Sequence, residues 1–258
     1  MNGRKIMTMK SDAEFDKMAA AGACVAAVHD AVRAAASPGV TMLELDAIAS
    51  DVYKSHGCRP SFLGYHGFPA TVCLSPNDMI VHGIPGKYVL REGDVLSIDA
   101  GAIYEGWHGD AAITIAIGEV PPEVAKLLEV TEAALWDGIG QSRAGNRLGD
   151  VGHAVQAAAA PFGYGVVREY IGHGIGQQMH EAPDVPNYGK PGKGFRLKVG
   201  MAIAIEPMFN LGTEQTAVLE DAWSVVTADG SISAHFEHTV AITADGPKVL
   251  TLHEPKLV

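Results

Sequence analysis

The sequence of 258 residues predicts an α+β fold with a pseudo-twofold repeat. Apolar residues recur at helical spacing in four segments and at alternate positions in several others, and the order helix, helix, strands occurs twice. A weak internal match supports the repeat, because Gly93–Asp99 aligns with Gly200–Glu206 at an offset of 107 residues. Because no linker separates the halves, we expect one catalytic domain over residues 1–258, with halves at about 11–120 and 121–252.

Two helices and a strand pair are predicted in the first half. Ser11-Asp-Ala-Glu14 is a capping box, and apolar residues follow it at spacings of three and four, so a helix is expected to end near Ser37-Pro-Gly39. Thr41-Met-Leu-Glu44 opens a second helix that stops at Gly57. Then we expect a loop at Arg59–Pro85 and strands at Val95–Ile103 and, after a Gly-rich turn, Ala111–Ile117.

The second half repeats this order. Pro121-Pro122 starts a helix that runs to about Gln141, and a further helix is expected at Asn146–Ala160. Looser strands and loops carry the chain to Val199. Regular alternation then predicts strands at Met201–Pro207, Ala222–Thr227 and Phe236–Thr243.

Composition restricts the possible partners and the compartment. Acidic residues outnumber basic ones 30 to 19, and a net charge of −11 argues against DNA or RNA as a substrate. Three cysteines are too few for a disulfide framework and are typical of a reducing cytoplasm. The most apolar uncharged run, Met18–His29, is shorter than the roughly 18 residues that span a bilayer. We therefore expect a cytoplasmic protein without a membrane partner.

Four predicted strands each carry one carboxylate on the face opposite their bulky residues. In Val95–Asp99, Leu96 and Ile98 lie on one face and Asp99 lies on the other. The same alternation isolates three more carboxylates: Asp110, Glu206 and Glu237. One such residue is ordinarily a solvated strand end, but four alike predict a shared site. Two divalent cations would balance their four charges.

A glycine-rich segment supplies the histidines for such a site. Glycines surround His173 in Tyr170-Ile-Gly-His173-Gly-Ile-Gly, and His180 follows seven residues later. Small neighbours allow backbone and a metal to approach closely. The sequence has no G-x-G-x-x-G, H-E-x-x-H or G-x-S-x-G pattern, so the usual signatures of dinucleotide binding, zincin proteases and serine hydrolases are absent.

The segment Tyr170–Tyr188 resembles the signature of type I methionine aminopeptidases, and the resemblance extends from about Ser11 to Leu252. It implies the pita-bread fold, in which a curved antiparallel sheet carries a dimetal site. It also implies removal of the N-terminal methionine from nascent proteins and peptides with a small second residue, by attack of a metal-activated water on the first peptide bond. Two divalent ions (Co, Mn, Fe(II) or Zn) are implied, with five ligands: Asp99, Asp110, His173, Glu206 and Glu237.

The same resemblance implies a role for each matched residue. Asp99 binds one ion, His173 and Glu206 bind the other, and the remaining two carboxylates bridge them. Glu206 also accepts a proton from the attacking water. His82 contacts the scissile amide nitrogen and His180 the carbonyl oxygen. The pocket for the methionine side chain is implied at six positions: Phe62, Tyr65, Phe68, Cys73, Met179 and Trp223.

Two alternatives stay open on the sequence. Proline-specific pita-bread hydrolases share the ligands but usually carry an extra N-terminal domain, whereas about 90 residues precede the first metal strand here. A non-enzymatic binding protein on this fold tends to lose metal ligands, whereas all five positions are intact here. The expected partners are nascent peptides. A monomer is also expected, and the basic segment Lys190–Lys198 is either a transient ribosome contact or a solvated loop.

Overall fold

Helices pack against a large antiparallel sheet in residues 6–258, the part of the chain that this computed structural model describes. The α-helices of this part are α1 (Asp12–Ala35), α2 (Met42–Ser55), α3 (Pro122–Gln141) and α4 (Leu148–Ala159). Its strands are β1 (Arg59–Pro60), β2 (Cys73–Pro76), β3 (Met79–Val81), β4 (Val95–Tyr104), β5 (Trp107–Ala116), β6 (Gly165–Val166), β7 (Gly172–Gly174), β8 (Glu181–Val185), β9 (Ala202–Ile205), β10 (Met208–Asn210), β11 (Thr216–Val218), β12 (Val225–Thr227), β13 (Ser233–His235), β14 (Glu237–Ile242), β15 (Pro247–Val249) and β16 (Lys256–Leu257).

The central sheet joins strands from both halves of the chain. Its main path within residues 6–258 is β1-β4-β5-β14-β9-β7-β8, and β2 pairs with β4 while β15 pairs with β14. Two smaller sheets have the orders β13-β10-β6 and β11-β12-β3. Apolar side chains of α1, α2 and β4 form one core cluster, and those of α3, α4 and β9 form another. The predicted repeat of helix, helix and strands is therefore confirmed.

The predicted helices form with small changes at their ends. The α1 capping box is present, because the Glu14 carboxylate accepts hydrogen bonds from the N–H of Ser11 at 2.7 Å and from the hydroxyl of Ser11 at 2.9 Å. Thr41 and Glu44 cap α2 in the same way. In the second half α4 begins at Leu148 instead of Asn146, since Arg147 is the residue that caps it.

The hairpin of β4 and β5 corrects one prediction. The expected turn between the two strands is present but shorter than predicted, because pairing continues without interruption to Tyr104 and Trp107. Only Glu105 and Gly106 form the turn, and both have positive φ (47° and 84°), as a two-residue type I′ hairpin requires. β5 therefore begins four residues before the predicted strand, and Asp110 lies well inside the sheet.

Other strands differ from the prediction because local contacts interrupt them. The expected loop over residues 59–85 contains the short strands β1, β2 and β3. The expected strand at Ala222–Thr227 begins only at Val225, because the Asp221 carboxylate accepts hydrogen bonds from the N–H groups of Trp223 and Ser224 and holds that segment in a turn. The predicted strand Met201–Pro207 is reduced to β9, and the chain leaves it just before Glu206.

Helix α1 is long and apolar enough, by length and composition alone, to cross a membrane. Half of its most apolar stretch is buried inside the protein, and the helix packs against β4, β5 and α2. Its buried residues, such as Met18, Val25 and Val32, are fully covered. These contacts are those of a core helix.

Two glycines allow α1 to lie directly on β5. A Cβ at Gly22 would collide with the carbonyl oxygen of Leu250, and a Cβ at Gly109 would lie 2.8 Å from the backbone nitrogen of Gly22. All of these obstructing atoms belong to the backbone, so they cannot move without displacing a helix or a strand. The helix therefore supports β5 next to Asp110.

Substitution of Gly22 by Ala tests this close approach. We expect Gly22→Ala to lower the free energy of unfolding by roughly 1–3 kcal/mol, because the added methyl group would press on backbone atoms that cannot move without shifting a whole element. Gly140 of α3 is the control, since a Cβ there has no atom within 4 Å. Gly140→Ala should be neutral or stabilising, by up to about 1 kcal/mol. The urea unfolding midpoint measures both, and an unchanged midpoint for Gly22→Ala would contradict the packing described.

Candidate metal centre and active site

The sheet brings the five predicted metal ligands to one face. Asp99 and Glu237 are both cross-strand partners of Ala112, from the two sides of β5. Asp110 precedes Ala112 by two residues and so shares its face. On the next strands, Thr239 of β14 pairs with Ala204 of β9, which is two residues before Glu206. All five predicted ligands line one cavity.

Donor atoms of these residues lie at distances that fit shared metal ions. His173 Nε2 lies 3.8 Å from Asp110 Oδ2 and 3.8 Å from Glu206 Oε1. One donor atom from each of Asp110, His173 and Glu237 can be chosen so that all three lie within 4.8 Å of one another. The His173 side chain is 5% exposed and that of Asp110 is 4% exposed.

A hydrogen bond selects the tautomer of His173. Its Nδ1 lies 2.9 Å from the carbonyl oxygen of Gly174, which can only accept, so Nδ1 carries the proton of the neutral ring. Nε2 then has its electron pair on the side of the carboxylates. This arrangement, with one ring nitrogen donating to a carbonyl and the other near acidic oxygens, is the usual one for a metal-binding histidine.

Three of the carboxylates, Asp99, Asp110 and Glu237, each have an oxygen without the partner, among the described residues, that a buried charge needs. Burial raises the pKa of Asp99 to about 7, and burial together with neighbouring carboxylates raises the pKa values of Asp110 and Glu237 well above their usual range. Each of these three has one oxygen without a hydrogen-bond partner in residues 6–258. No lysine or arginine of the described chain lines the cavity. Unpartnered anionic oxygens around a small volume fit divalent cations, so the residues present are suited to metal binding.

Apolar and aromatic side chains form the other wall of the same cavity. Phe68 contacts Phe62 edge-on at a centroid distance of 6.4 Å and Trp223 at 5.2 Å. The six residues predicted for the methionine pocket all line this cavity: Phe62, Tyr65, Phe68, Cys73, Met179 and Trp223. The structure thus brings the predicted pocket and the predicted ligands together.

The two predicted catalytic histidines line the cavity on different loops. His82 has a positive φ of 61°, and its ring is held between Tyr170 at 5.6 Å and Trp223 at 6.4 Å. Burial lowers the pKa of His82, so its ring is neutral near pH 7. His180 Nδ1 lies 2.8 Å from the hydroxyl of Tyr65, and its ring centroid lies 4.2 Å from that of His173.

A buried ion pair fixes the loop that presents Met179 and His180. Lys10 Nζ lies 2.8 Å from Glu181 Oε2, and both side chains are almost completely buried. The Thr8 hydroxyl donates to the same oxygen at 2.6 Å. The N-terminal segment therefore holds the residue directly after His180, and the pocket and catalytic residues share one support.

Sequence reasoning missed His235. Its side chain is 2% exposed, and its Nε2 lies 3.9 Å from Glu206 Oε2 and 4.0 Å from Glu237 Oε2. A signal was available, because His235 precedes Glu237 by two residues and alternation places both on one face. The predicted strand starts at Phe236, one residue too late to include His235.

Comparison with known proteins agrees with this site. Residues 16–244 match metallopeptidase family M24. The chain is 52% identical over 259 residues to methionine aminopeptidase 1 of Mycobacterium tuberculosis, and the alignment covers 98% of this chain and 97% of that protein. The crystal structure of a methionine aminopeptidase from Thermotoga maritima superposes with a TM-score of 0.94 at 42% identity, covering 96% of this chain and 100% of that one.

A prolidase from Pyrococcus furiosus is a more distant neighbour. Its TM-score with this chain is 0.76 at 22% identity, and the alignment covers 95% of this chain but only 66% of the prolidase. At that identity the likeness shows the fold alone, and it confirms the predicted pita-bread architecture. The family match and the high-identity relatives together identify the chain: it belongs to metallopeptidase family M24, among its methionine aminopeptidases.

Proposed function

We propose that this protein is a metal-dependent aminopeptidase that removes the N-terminal methionine from nascent proteins and peptides with a small second residue. The observation that carries the proposal is a single cavity with metal-donor side chains on one wall and an apolar, aromatic pocket on the other. A substrate whose first side chain enters the pocket would have its first peptide bond beside the donors. The relatives named methionine aminopeptidase support the same activity.

The charges of the four carboxylates favour two bound divalent ions. Four carboxylates carry four negative charges, and no lysine or arginine of the described residues lines the cavity. Asp99 would hold one ion, His173 with Glu206 would hold the other, and Asp110 and Glu237 would contribute to both. Bound ions would lower the pKa of a coordinated water enough to supply hydroxide near neutral pH. Mixed nitrogen and oxygen ligands suit Co, Mn, Fe(II) or Zn.

Glu206 is placed to accept the proton of the attacking water. Its side chain is 14% exposed, against 4% for Asp110 and 3% for Glu237, so it is more open to the cavity than either of these. A carboxylate at this position can take a proton during attack and return it to the leaving amine.

The two histidines would act on the peptide bond itself. The Tyr65 hydroxyl can donate to Nδ1 of His180 or accept from it, and in either case it orients the ring. We propose that His180 donates through its other nitrogen to the carbonyl oxygen as negative charge develops there. His82, held between Tyr170 and Trp223, would contact the amide nitrogen.

The pocket favours methionine by its chemistry. Aromatic edges of Phe62, Phe68 and Trp223, together with the sulfur-bearing Cys73 and Met179, surround an apolar volume in which a thioether makes favourable contacts. A charged first residue would lose its hydration there without a partner.

Three further expectations are proposals about the cellular setting. We propose that the protein acts in the cytoplasm, as a monomer, on nascent chains. The basic segment Lys190–Lys198 is proposed as a transient contact with the ribosome, supported by its charge on an otherwise acidic chain. No contact with DNA or with a membrane is part of the proposal.

A peptide panel tests the proposed activity. The metal-free protein is assayed with Met-Ala-Ser, Met-Gly-Met-Met, Met-Leu-Ser and Xaa-Pro peptides, with and without added Mn(II), Co(II), Fe(II) or Zn(II). We expect release of methionine from peptides with a small second residue, and complete loss of activity with a chelator. Preference for Xaa-Pro peptides would move the protein to the proline-specific group, and full activity in the chelator would exclude a metal mechanism.

Substitution of His180 tests its role. We expect His180→Ala to lower kcat by about 10²–10³-fold, as for loss of one donor to a developing oxyanion, with unchanged metal content. His153→Ala, an exposed position on α4, is the control and should leave kcat and metal content unchanged. Loss of bound metal in His180→Ala would make it a ligand instead, and unchanged kcat would remove it from the reaction.

A further inference from the structure

His235 is a nitrogen donor at the metal centre that lies outside the five-residue ligand set. The residue ends β13, and its Nε2 lies 3.9 Å from Glu206 Oε2 and 4.0 Å from Glu237 Oε2. Both of those carboxylates belong to the predicted ligand set. His235 is therefore in contact with the metal-binding residues without having been assigned a function.

The position of His235 parallels that of His173. His173 Nε2 lies 3.8 Å from oxygens of Asp110 and Glu206, and His235 Nε2 lies at almost the same distance from oxygens of Glu206 and Glu237. Donor atoms that each lie roughly 2.0–2.2 Å from one ion are about 3–4 Å apart, so both sets have metal-site spacing. Glu206, His235 and Glu237 form a group in which one donor atom of each lies within 4.8 Å of the others.

Neither ring nitrogen of His235 has a hydrogen-bond partner within residues 6–258. A buried polar atom left unsatisfied costs roughly 1–3 kcal/mol, so two on one ring need an explanation. A neutral imidazole has one ring nitrogen that is available as an electron-pair donor. A neutral imidazole between two carboxylates is a standard metal-binding combination.

The backbone of His235 is fixed on both sides. Its N–H donates to the Thr114 hydroxyl at 2.9 Å, and its carbonyl accepts from the same hydroxyl at 2.6 Å. β13 pairs with β10, where Met208 lies opposite His235. These bonds anchor the residue beside β5 and limit how far the ring can move from the carboxylates.

We propose that His235 is a sixth metal ligand, binding together with Glu206 and Glu237 through Nε2. The proposal rests on the proposed function only in requiring that the cavity bind metal. Imidazole adds a donor without adding charge, so four carboxylates still balance two divalent ions. An additional nitrogen ligand also favours Co(II) and Zn(II) over Mn(II), because imidazole suits the former and carboxylate-rich sites suit the latter.

Nuclear magnetic resonance of the Co(II)-loaded protein tests the proposal without an activity assay. A histidine bound to paramagnetic Co(II) gives a strongly shifted, exchangeable ring N–H signal, and both candidate rings are buried enough to exchange slowly. We expect two such signals in the wild type, from His173 and His235, and one in His235→Gln. We also expect His235→Gln to bind Co(II) at least tenfold more weakly, with a smaller loss for Mn(II).

The control is His29→Gln, which replaces another buried histidine, on α1, that also has an unpartnered nitrogen but belongs to neither group of metal donors. It should keep both shifted signals and the wild-type Co(II) affinity. A single shifted signal in the wild type would overturn the proposal, because His235 would then not bind the metal. The wild-type spectrum decides this even if His235→Gln fails to fold.

Failure here is distinguishable from failure of the proposed function. If the Co(II)-loaded wild type cleaves methionyl peptides but shows one shifted histidine signal, the proposed aminopeptidase activity stands and the sixth ligand is excluded. If the protein shows two shifted histidine signals but cleaves no methionyl peptide, His235 stands as a metal ligand and the proposed aminopeptidase activity is excluded.

Discussion

Four carboxylates that line one cavity, with no lysine or arginine of the described residues beside them, are the constraint on which the fold depends. Asp110 and Glu237 are almost inaccessible; burial raises the pKa of Asp99, and burial together with neighbouring carboxylates raises the pKa values of Asp110 and Glu237. Such a cluster opposes folding unless protons or cations neutralise it. Divalent ions do this while leaving the carboxylates ionised, which is the state that metal-assisted hydrolysis requires.

The surrounding structure holds this cluster in place from several directions. Gly22 and Gly109 bring α1 onto β5 directly behind Asp110. Thr114 and Thr239 bind backbone groups of His235 and Asp110, so neighbouring strands are fixed in register where the donors lie. The Lys10–Glu181 ion pair then fixes the loop that carries the pocket and His180. Ligands, pocket and catalytic side chains therefore depend on one connected set of contacts.

Much of this arrangement was predictable from local pattern. Alternation along each strand was enough to place Asp99, Asp110, Glu206 and Glu237 opposite the bulky residues, because the period of a strand is fixed by its geometry. Capping boxes marked the starts of α1 and α2 for the same local reason. The glycines around His173 were only partly understood: a Cβ at Gly172 or Gly174 would collide with backbone carbonyl oxygens of Ala204 or Ala182, so they admit neighbouring strands. Tertiary contacts, such as α1 on Gly109 and the short strands between Arg59 and Val81, have no local signature and were missed.

The central claim is that the carboxylate cluster is a metal site, and thermal unfolding of the wild type and Asp110→Asn tests it most directly. Added Co(II) at about 100 times its Kd should stabilise the wild type by about 2.7 kcal/mol, which corresponds to roughly 5–10 °C in Tm for a chain of this size. In metal-free protein, Asp110→Asn should unfold at a higher temperature than the wild type, because the buried amide needs neither a proton nor a cation to be neutral, and it should gain little from Co(II). The account would be contradicted if Co(II) left the Tm of the wild type unchanged, or if Asp110→Asn lowered the Tm of the metal-free protein.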